Sequence, residues 1–346
     1  DYMHKALGRF DYSVDDCFAF HSVIRDEVVP LLKPINEKRQ KSLNISPLRP
    51  WDLEVDIEGR PALLPFTNGN DLIEKTLKSF ERLDPFFKTV IDTMDKKGHL
   101  DLESRIGKAP GGYNYPLALS GYPFIFMNAA SSLRDVETMV HEGGHAIHSV
   151  LSQKLPLNAF RNCPSEVAEL ASMSMELLTI YSLDEFIPNK EDLKRAITEQ
   201  IEGIIKTLPW IATIDKFQHW LYTHINHSLE ERKNAWNQIS QEFSLNTTDW
   251  SGLEHFRDFS WQKQLHIYEV PFYYIEYGFA QLGAIGVWKN AVESLPKAIE
   301  KYKNALSLGN TKSISEIYET AGVKFGGEKE YVKSLFQFVE KEYQKL

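Results

Sequence analysis

The chain has 346 residues, a formal net charge of −9 and a sequence pI of about 5.7. An acidic chain lacks the basic surface that phosphate binding needs, which argues against nucleic acid as a partner. No apolar run approaches the roughly 18 residues of a membrane span, so no membrane partner is expected. The two cysteines, Cys17 and Cys163, lie in no C-x-x-C pair, which indicates a reducing, cytoplasmic location and no disulfide framework.

Stretches with helical spacing dominate the chain and are separated by prolines, glycines and other turn residues. In chain order, the predicted elements are a helix over 13–44 that Pro30 and Pro34 break or kink, a strand over 53–57, a helix over 70–96 that Pro85 splits, a strand over 124–128, a helix from residue 131 or 132, a helix after residue 164, helices over 190–206 and 210–243, and two or three amphipathic helices in the tail. The sequence therefore predicts a mainly α protein with a small sheet, organised as a single domain over residues 1–346.

The helix that follows the second predicted strand carries an H-E-x-x-H pattern, formed by His141, Glu142 and His145. Positions i and i+4 share a helix face, so the two imidazoles can point at one place. Two neutral imidazoles suit zinc, and a neighbouring carboxylate can take a proton from zinc-bound water. The pattern predicts that His141 and His145 bind zinc and that Glu142 is the general base.

Gly143 and Gly144 fall inside the same helix, where each costs about 1 kcal/mol relative to alanine. We expect that cost to allow the close approach of another backbone, such as an extended substrate. Ser132, with Asp135 three residues later, predicts the capped start of the helix. His148, one turn after the motif, is expected to be a packed structural histidine.

Catalytic zinc needs a third protein ligand and an open position for water. The next predicted helix offers Glu166, Glu169 and Glu176, which share one face because they are spaced by three and seven residues. Spacing alone does not choose among them, although Glu169 is flanked by apolar residues and should be half buried. The residues predict one zinc ion per chain, held by His141, His145 and a glutamate of this helix.

Peptide hydrolysis also needs a donor for the oxyanion of the tetrahedral intermediate. The stretch 266–277 is dense in tyrosine and begins with His266. Tyr273 and Tyr277 are spaced i, i+4 at what we expect to be a helix start. An aromatic core stripe is the alternative explanation for this stretch.

The residues from His141 to His148 resemble the H-E-x-G-H-x-x-H signature of the thimet oligopeptidase and oligoendopeptidase F family of zinc peptidases. Residues 164–176 are similar to the family's third-ligand helix, especially in its oligoendopeptidase F branch. The resemblance implies that Glu169 is the third zinc ligand and Glu142 the general base. It also implies a zincin-type helical catalytic domain with a small β-sheet beside the H-E-x-x-H helix.

The same resemblance implies a deep channel that admits oligopeptide substrates and excludes folded proteins. It further implies that Tyr273, Tyr277 and His266 hold the oxyanion or the substrate backbone. Members of the family are longer and have an amino-terminal helical lobe that forms the other wall of the channel. We therefore expect this chain to be the carboxy-terminal catalytic part of a longer protein.

The first functional hypothesis is a zinc-dependent endopeptidase that cuts short oligopeptides. A metal-binding but inactive peptide-binding fragment is the alternative that the missing lobe leaves open. A di-iron carboxylate bundle would need two E-x-x-H motifs, and a search of all eleven histidines finds one, at Glu142 and His145. This third hypothesis is therefore disfavoured.

Overall fold

The computed structural model describes Lys5 and residues 7–346. Most of the described residues lie in helices, which confirms the predicted mainly α class. Labelled in chain order, the α-helices and strands are α1 (Val14–Val23), α2 (Leu32–Leu43), α3 (Gly69–Leu83), α4 (Pro85–Lys96), β1 (Leu100–Glu103), β2 (Tyr113–Tyr115), β3 (Phe124–Ala129), α5 (Leu133–Ser152), α6 (Asn158–Arg161), α7 (Ser165–Leu178), α8 (Lys190–Thr223), α9 (Leu229–Glu242), α10 (Glu254–Asp258), α11 (His266–Glu269), α12 (Ile275–Leu306), α13 (Ile314–Thr320) and α14 (Lys329–Tyr343). Among these described helices, none combines the length and the apolar character needed to cross a membrane.

Polar side chains at the helix starts explain where several helices begin. At α5, the Ser132 hydroxyl accepts from the backbone N–H of Asp135, and the Asp135 carboxylate accepts from the backbone N–H of Ser132. Asp84 caps α4 in a related way, with Pro85 at the first helical position. Such caps stabilise a helix by about 1 kcal/mol each. The predicted start of the motif helix is therefore confirmed.

The chain divides into two compact units, each assembled from separate segments. Unit 1 comprises the described residues of Asp1–Pro61, together with Gln200–Phe279 and Gly326–Lys345. Unit 2 comprises Ala62–Glu199, Ala280–Phe325 and the last residue. A single domain over residues 1–346 stays a prediction.

Unit 2 contains a three-stranded sheet in the order β1-β3-β2. The central strand β3 pairs in parallel with β1, where Leu100 lies opposite Ile125. It pairs antiparallel with β2, where Tyr113 lies opposite Phe126. Alternate residues of β3 are buried, as expected when one face of a strand packs on the core. β3 ends directly before the capped start of α5 and so sets where the motif helix begins.

Two glycines allow α5 to pack closely within unit 2. A Cβ atom at Gly144 would lie 2.7 Å from both the carbonyl oxygen of Ala171 and the Cα of Ser172 on α7. A Cβ atom at Gly143 would lie 2.8 Å from the ring of Phe80 on α3. The expected approach of another backbone is confirmed at Gly144, and that backbone is helix α7. A substrate backbone at these glycines stays a prediction.

Unit 1 contains a buried ion pair that connects distant parts of its sequence. The Nε of Arg9 lies 3.2 Å from Oε1 of Glu276, and the two side chains are 2% and 6% exposed. The carbonyl oxygen of Phe272 accepts a further hydrogen bond from the same guanidinium. A buried pair of this kind fixes geometry, because either partner alone would leave a charge in the interior.

Three sequence predictions about secondary structure are wrong, each for a physical reason. The helix predicted over 210–243 ends at Thr223, and α9 begins after the capping residue Ser228. Residues 53–57 form no strand, because Leu53 ends a 3₁₀ turn, Arg39 donates to the Val55 carbonyl, and the Asp56 carboxylate accepts from the backbone N–H groups of Glu58 and Arg60 in a turn. Pro209 does not end a helix, and α8 runs through it. Packing retains that helix, since its neighbours Leu208 and Ile211 are fully buried. The sheet instead uses β1 and β2, which the sequence did not predict.

Candidate metal centre

Helix α5 presents the two histidines of the motif on one face. The ring centroids of His141 and His145 are 4.9 Å apart, with the ring planes at 86°. Their side chains are 21% and 18% exposed, so both imidazoles are accessible but largely enclosed. This placement follows from the i, i+4 spacing on a regular helix.

Helix α7 brings the third donor to the same place. Oε2 of Glu169 lies 3.4 Å from Nε2 of His141 and 3.6 Å from Nε2 of His145. Ligand atoms of the three residues lie within 4.8 Å of one another. The hydroxyl of Ser172 donates to the same Glu169 oxygen at 2.8 Å and fixes its orientation. Of the three glutamates that the sequence left open, Glu169 is the one that joins this cluster.

Glu176 lies behind His141 rather than beside the two Nε2 atoms. Its Oε1 is 2.6 Å from Nδ1 of His141. A carboxylate on the second nitrogen of a metal-binding histidine sets the tautomer and the ring orientation. The sequence offered Glu176 only as an alternative ligand. Its position one heptad after Glu169, on the same helix face, was the signal that could have assigned this supporting place.

The two carboxylates next to His141 favour a positive charge at the cluster, which a proton or a metal ion can supply. Burial alone would lower the pKa of His141, but hydrogen bonds with Glu169 and Glu176 outweigh it and raise that pKa well above its usual value. Burial alone would raise the pKa of Glu169, but His145, His141 and Ser172 lower it to about 2. Burial lowers the pKa of His145 to about 4, so this imidazole is neutral at neutral pH. A carboxylate and a neutral imidazole are the forms that ligate zinc.

Glu142 lies next to the cluster and has the properties of a proton acceptor. Burial raises its pKa to about 7; the charge of His141 opposes this rise, and those of Glu169 and Glu176 add to it. The residue is 6% exposed, and its Oε2 has no hydrogen-bond partner within the described part of the chain. Nδ2 of Asn114 on β2 donates to the Glu142 carbonyl at 3.2 Å, which ties the sheet to α5.

His148 is buried beside a cysteine and outside this cluster. It is 4% exposed, and its Nε2 lies 3.7 Å from Sγ of Cys163. Burial lowers the pKa of His148 to about 3. Burial also raises the pKa of Cys163 to about 12, so the thiol is protonated and unreactive at neutral pH. The packed structural role expected for His148 agrees with these surroundings.

The predicted oxyanion residues form a group of their own in unit 1. The Tyr277 hydroxyl lies 3.5 Å from Nε2 of His266, and the rings of Tyr273 and Tyr277 are 5.3 Å apart. Gln264 holds Nδ1 of His266 at 2.7 Å. Tyr273 precedes α12 and Tyr277 lies in its first turn, so the two are not successive turns of one helix. Their role at the oxyanion stays a prediction.

Comparison with known proteins identifies the group to which these features belong. A sequence profile of Peptidase family M3 matches residues 1–336. The chain belongs to this family. The resemblance predicted from the motif helix and the glutamate helix is thereby confirmed.

Relatives within the family carry the name oligoendopeptidase F. An oligoendopeptidase F homolog of Borreliella burgdorferi is 26% identical over 86% of this chain and 50% of its own length. The chromosomal oligoendopeptidase F of Lactococcus lactis subsp. cremoris is 24% identical over 92% of this chain and 52% of its own length. The chain therefore spans about half the length of the curated relatives that it matches.

The fold agrees with a solved structure of the same kind. The structure of PZ peptidase A with an inhibitor superposes with a TM-score of 0.93 and 29% identity, over 99% of this chain and 61% of that one. This similarity confirms the mainly helical catalytic fold with a small sheet beside the motif helix.

Proposed function

We propose that this chain carries the catalytic centre of a zinc-dependent endopeptidase that hydrolyses short oligopeptides in a channel. The observation that supports it best is the convergence of His141, His145 and Glu169, with Glu142 adjacent to His141 on the same helix. Membership of Peptidase family M3 supports the same reaction class.

The residues present fit a zinc ion on two grounds. Their donor set of two imidazoles and one carboxylate is that of catalytic zinc sites, which keep one position open. The buried Oε2 of Glu142 has no partner among the described residues, which leaves it available to a water molecule at that position. A zinc ion held by His141, His145 and Glu169 would lower the pKa of a water molecule and polarise the scissile carbonyl.

The side chains of the centre have different roles in the proposed reaction. Glu142 takes a proton from the attacking water and passes it to the leaving amine. Its raised pKa suits both steps, because a group with a pKa near 7 accepts and releases a proton at neutral pH. Glu176 holds the ring of His141 in place through Nδ1.

His266, Tyr273 and Tyr277 are proposed to donate hydrogen bonds to the oxyanion or to the substrate backbone. Removing one oxyanion donor usually lowers kcat by about 10²–10³-fold. Tyr273→Phe and Tyr277→Phe should therefore lower kcat in this range for at least one of the two, with an unchanged zinc content. If both variants keep the parental kcat, the tyrosines have no part in the chemistry.

The main experiment measures zinc content and cleavage of internally quenched peptides of graded length. Glu142→Gln is the matched control, since it keeps the size of the side chain but removes the proton acceptor. We expect one zinc ion per chain at this centre in both proteins, and cleavage by the parent alone. A zinc-loaded parent that cleaves no peptide of any length contradicts endopeptidase activity for this chain.

The span of half the relatives' length makes an inactive peptide-binding fragment the second candidate. Peptide binding is therefore measured in parallel by fluorescence anisotropy with the Glu142→Gln variant. Binding of peptides without cleavage by the parent would favour this second candidate.

A cytoplasmic location also stays a proposal, based on two cysteines outside any C-x-x-C pair.

A further inference from the structure

A second group of metal-type donors lies inside unit 1, outside the centre described above. Cys17 is on α1, whereas Asp215 and His219 are one turn apart on α8. One donor atom from each of the three residues lies within 4.8 Å of the other two. The i, i+4 spacing places Asp215 and His219 on one face of α8, and that face meets Cys17.

This cluster is closed off from solvent and incompletely hydrogen-bonded. Cys17 and Asp215 are fully buried, and the side chain of His219 is 11% exposed. Oδ1 of Asp215 forms no hydrogen bond with any described residue, and Nε2 of His219 has only an ion-pair contact of 3.4 Å with Oδ2 of Asp215. A buried acceptor without a partner is unfavourable, and an unpaired buried charge is more so. A cation bound between them would satisfy the carboxylate oxygen and the imidazole nitrogen together.

Neighbouring side chains hold two of the donors in place. Nε2 of His21 lies 2.8 Å from Oδ2 of Asp215, and a ligating carboxylate is typically fixed by a hydrogen bond of this kind. The ring of His219 packs between Phe18, with centroids 5.0 Å apart, and Phe272, at 4.9 Å. The carboxylate and the imidazole are therefore oriented before any ion binds.

We propose that Cys17, Asp215 and His219 form a second metal site, which binds zinc or a similar thiophilic divalent ion. A thiolate together with a carboxylate carries two negative charges, which match the charge of a divalent ion. The sulfur donor favours zinc over magnesium or calcium, which prefer oxygen. The site ties α1 to α8 and has a structural role.

A cavity in unit 1 lies next to the cluster, on the other side of His21. A cavity of about 220 Å³ is lined by Phe18, His21 and Lys216, among others. His21 lines this cavity and also contacts Asp215, so the side chain of His21 separates the cavity from the donors. Metal-free packing is the competing explanation, in which His21 and Asp215 form a buried ion pair and Cys17 remains a thiol, 3.5 Å from the Ser13 carbonyl.

Cobalt separates these explanations, because a thiolate ligand to Co²⁺ gives a near-ultraviolet charge-transfer band. The centre on α5 and α7 offers no sulfur among its three donors. The other cysteine, Cys163, is removed by Cys163→Ser, which leaves Cys17 as the single thiol. The 346-residue chain with this substitution is stripped with a chelator and titrated with Co²⁺, while bound cobalt and the band are recorded together.

We expect two cobalt ions per chain and a charge-transfer band that saturates with one of them. Cys17→Ser should lose one ion and the band, whereas His145→Ala should lose one ion and keep the band. Cobalt binding without the band, even in the folded Cys163→Ser chain, overturns the proposal and favours the metal-free ion pair. This readout does not depend on peptidase activity or on the behaviour of the Cys17 variant.

Discussion

The contact between α5 and α7 at Gly144 should control both stability and metal binding. In Gly144→Ala the new Cβ would lie 2.7 Å from the backbone of Ala171 and Ser172. The two helices must then separate by about 0.7 Å to reach an ordinary contact of 3.4 Å. Backbone atoms cannot change rotamer, so the strain falls on the helix pair that carries the histidines and Glu169.

The magnitude follows from two opposing effects. An alanine in a helix interior is favoured over glycine by about 1 kcal/mol. Overpacking a rigid contact costs about 1–3 kcal/mol, and the upper end applies where backbone meets backbone. We expect Gly144→Ala to lower the free energy of unfolding by about 2 kcal/mol. Zinc affinity should fall by at least about 10-fold, as is typical when the contacts that orient the metal-binding side chains are lost.

The matched control is Gly203→Ala, a helix-interior glycine of α8 where a Cβ atom would meet no described atom within 4 Å. That variant should gain up to about 1 kcal/mol and bind zinc as the parent does. The assays are denaturant unfolding and competition for zinc with a fluorescent chelator. If Gly144→Ala is as stable as Gly203→Ala and binds zinc equally well, the close contact of α5 and α7 is not what the glycine provides.

Three further predictions concern single ionic contacts. Glu176→Ala should lower zinc affinity about 10–100-fold in the competition assay, because His141 loses the carboxylate at Nδ1. Glu176→Gln keeps a hydrogen bond and should therefore lose less affinity. Equal zinc affinity of the parent and both variants would contradict this role. Arg9→Met should lower the free energy of unfolding by about 3–5 kcal/mol, because Glu276 stays buried without the guanidinium of Arg9. Adding Glu276→Gln should recover part of this loss. A loss below about 1 kcal/mol for Arg9→Met would show that the pair is unimportant for stability. Asp101 has its pKa lowered to about 2 by hydrogen bonds from a neighbouring arginine and lysine, so its contribution is complete above about pH 4 and is lost as the pH falls through 2. Asp101→Asn should therefore cost about 1 kcal/mol at pH 7 and much less near pH 2 in urea unfolding, and a cost that does not depend on pH would refute the assignment.

Local chemistry explains why much of the helical structure could be predicted from the sequence. A capped start at Ser132 and regular helical spacing depend on residues within one or two turns of each other. The i, i+4 placement of His141 and His145 is likewise a property of a single helix. The strand over 53–57 was predicted wrongly because a turn at Asp56 and a distant side chain, Arg39, satisfy the backbone there.

The sequence by itself determined the chemistry of the motif helix: two imidazoles on one face, a carboxylate next to them, and a likeness to one peptidase family. Only the tertiary structure decided which glutamate approaches the imidazoles, because Glu166, Glu169 and Glu176 share a helix face and differ only in how α7 packs on α5. The same packing gave Gly144 a partner in the backbone of α7. It also placed Glu176 behind His141. Spacing along one helix is fixed by the helix itself, whereas distances between helices depend on how complementary surfaces pack, which the order of residues alone does not show.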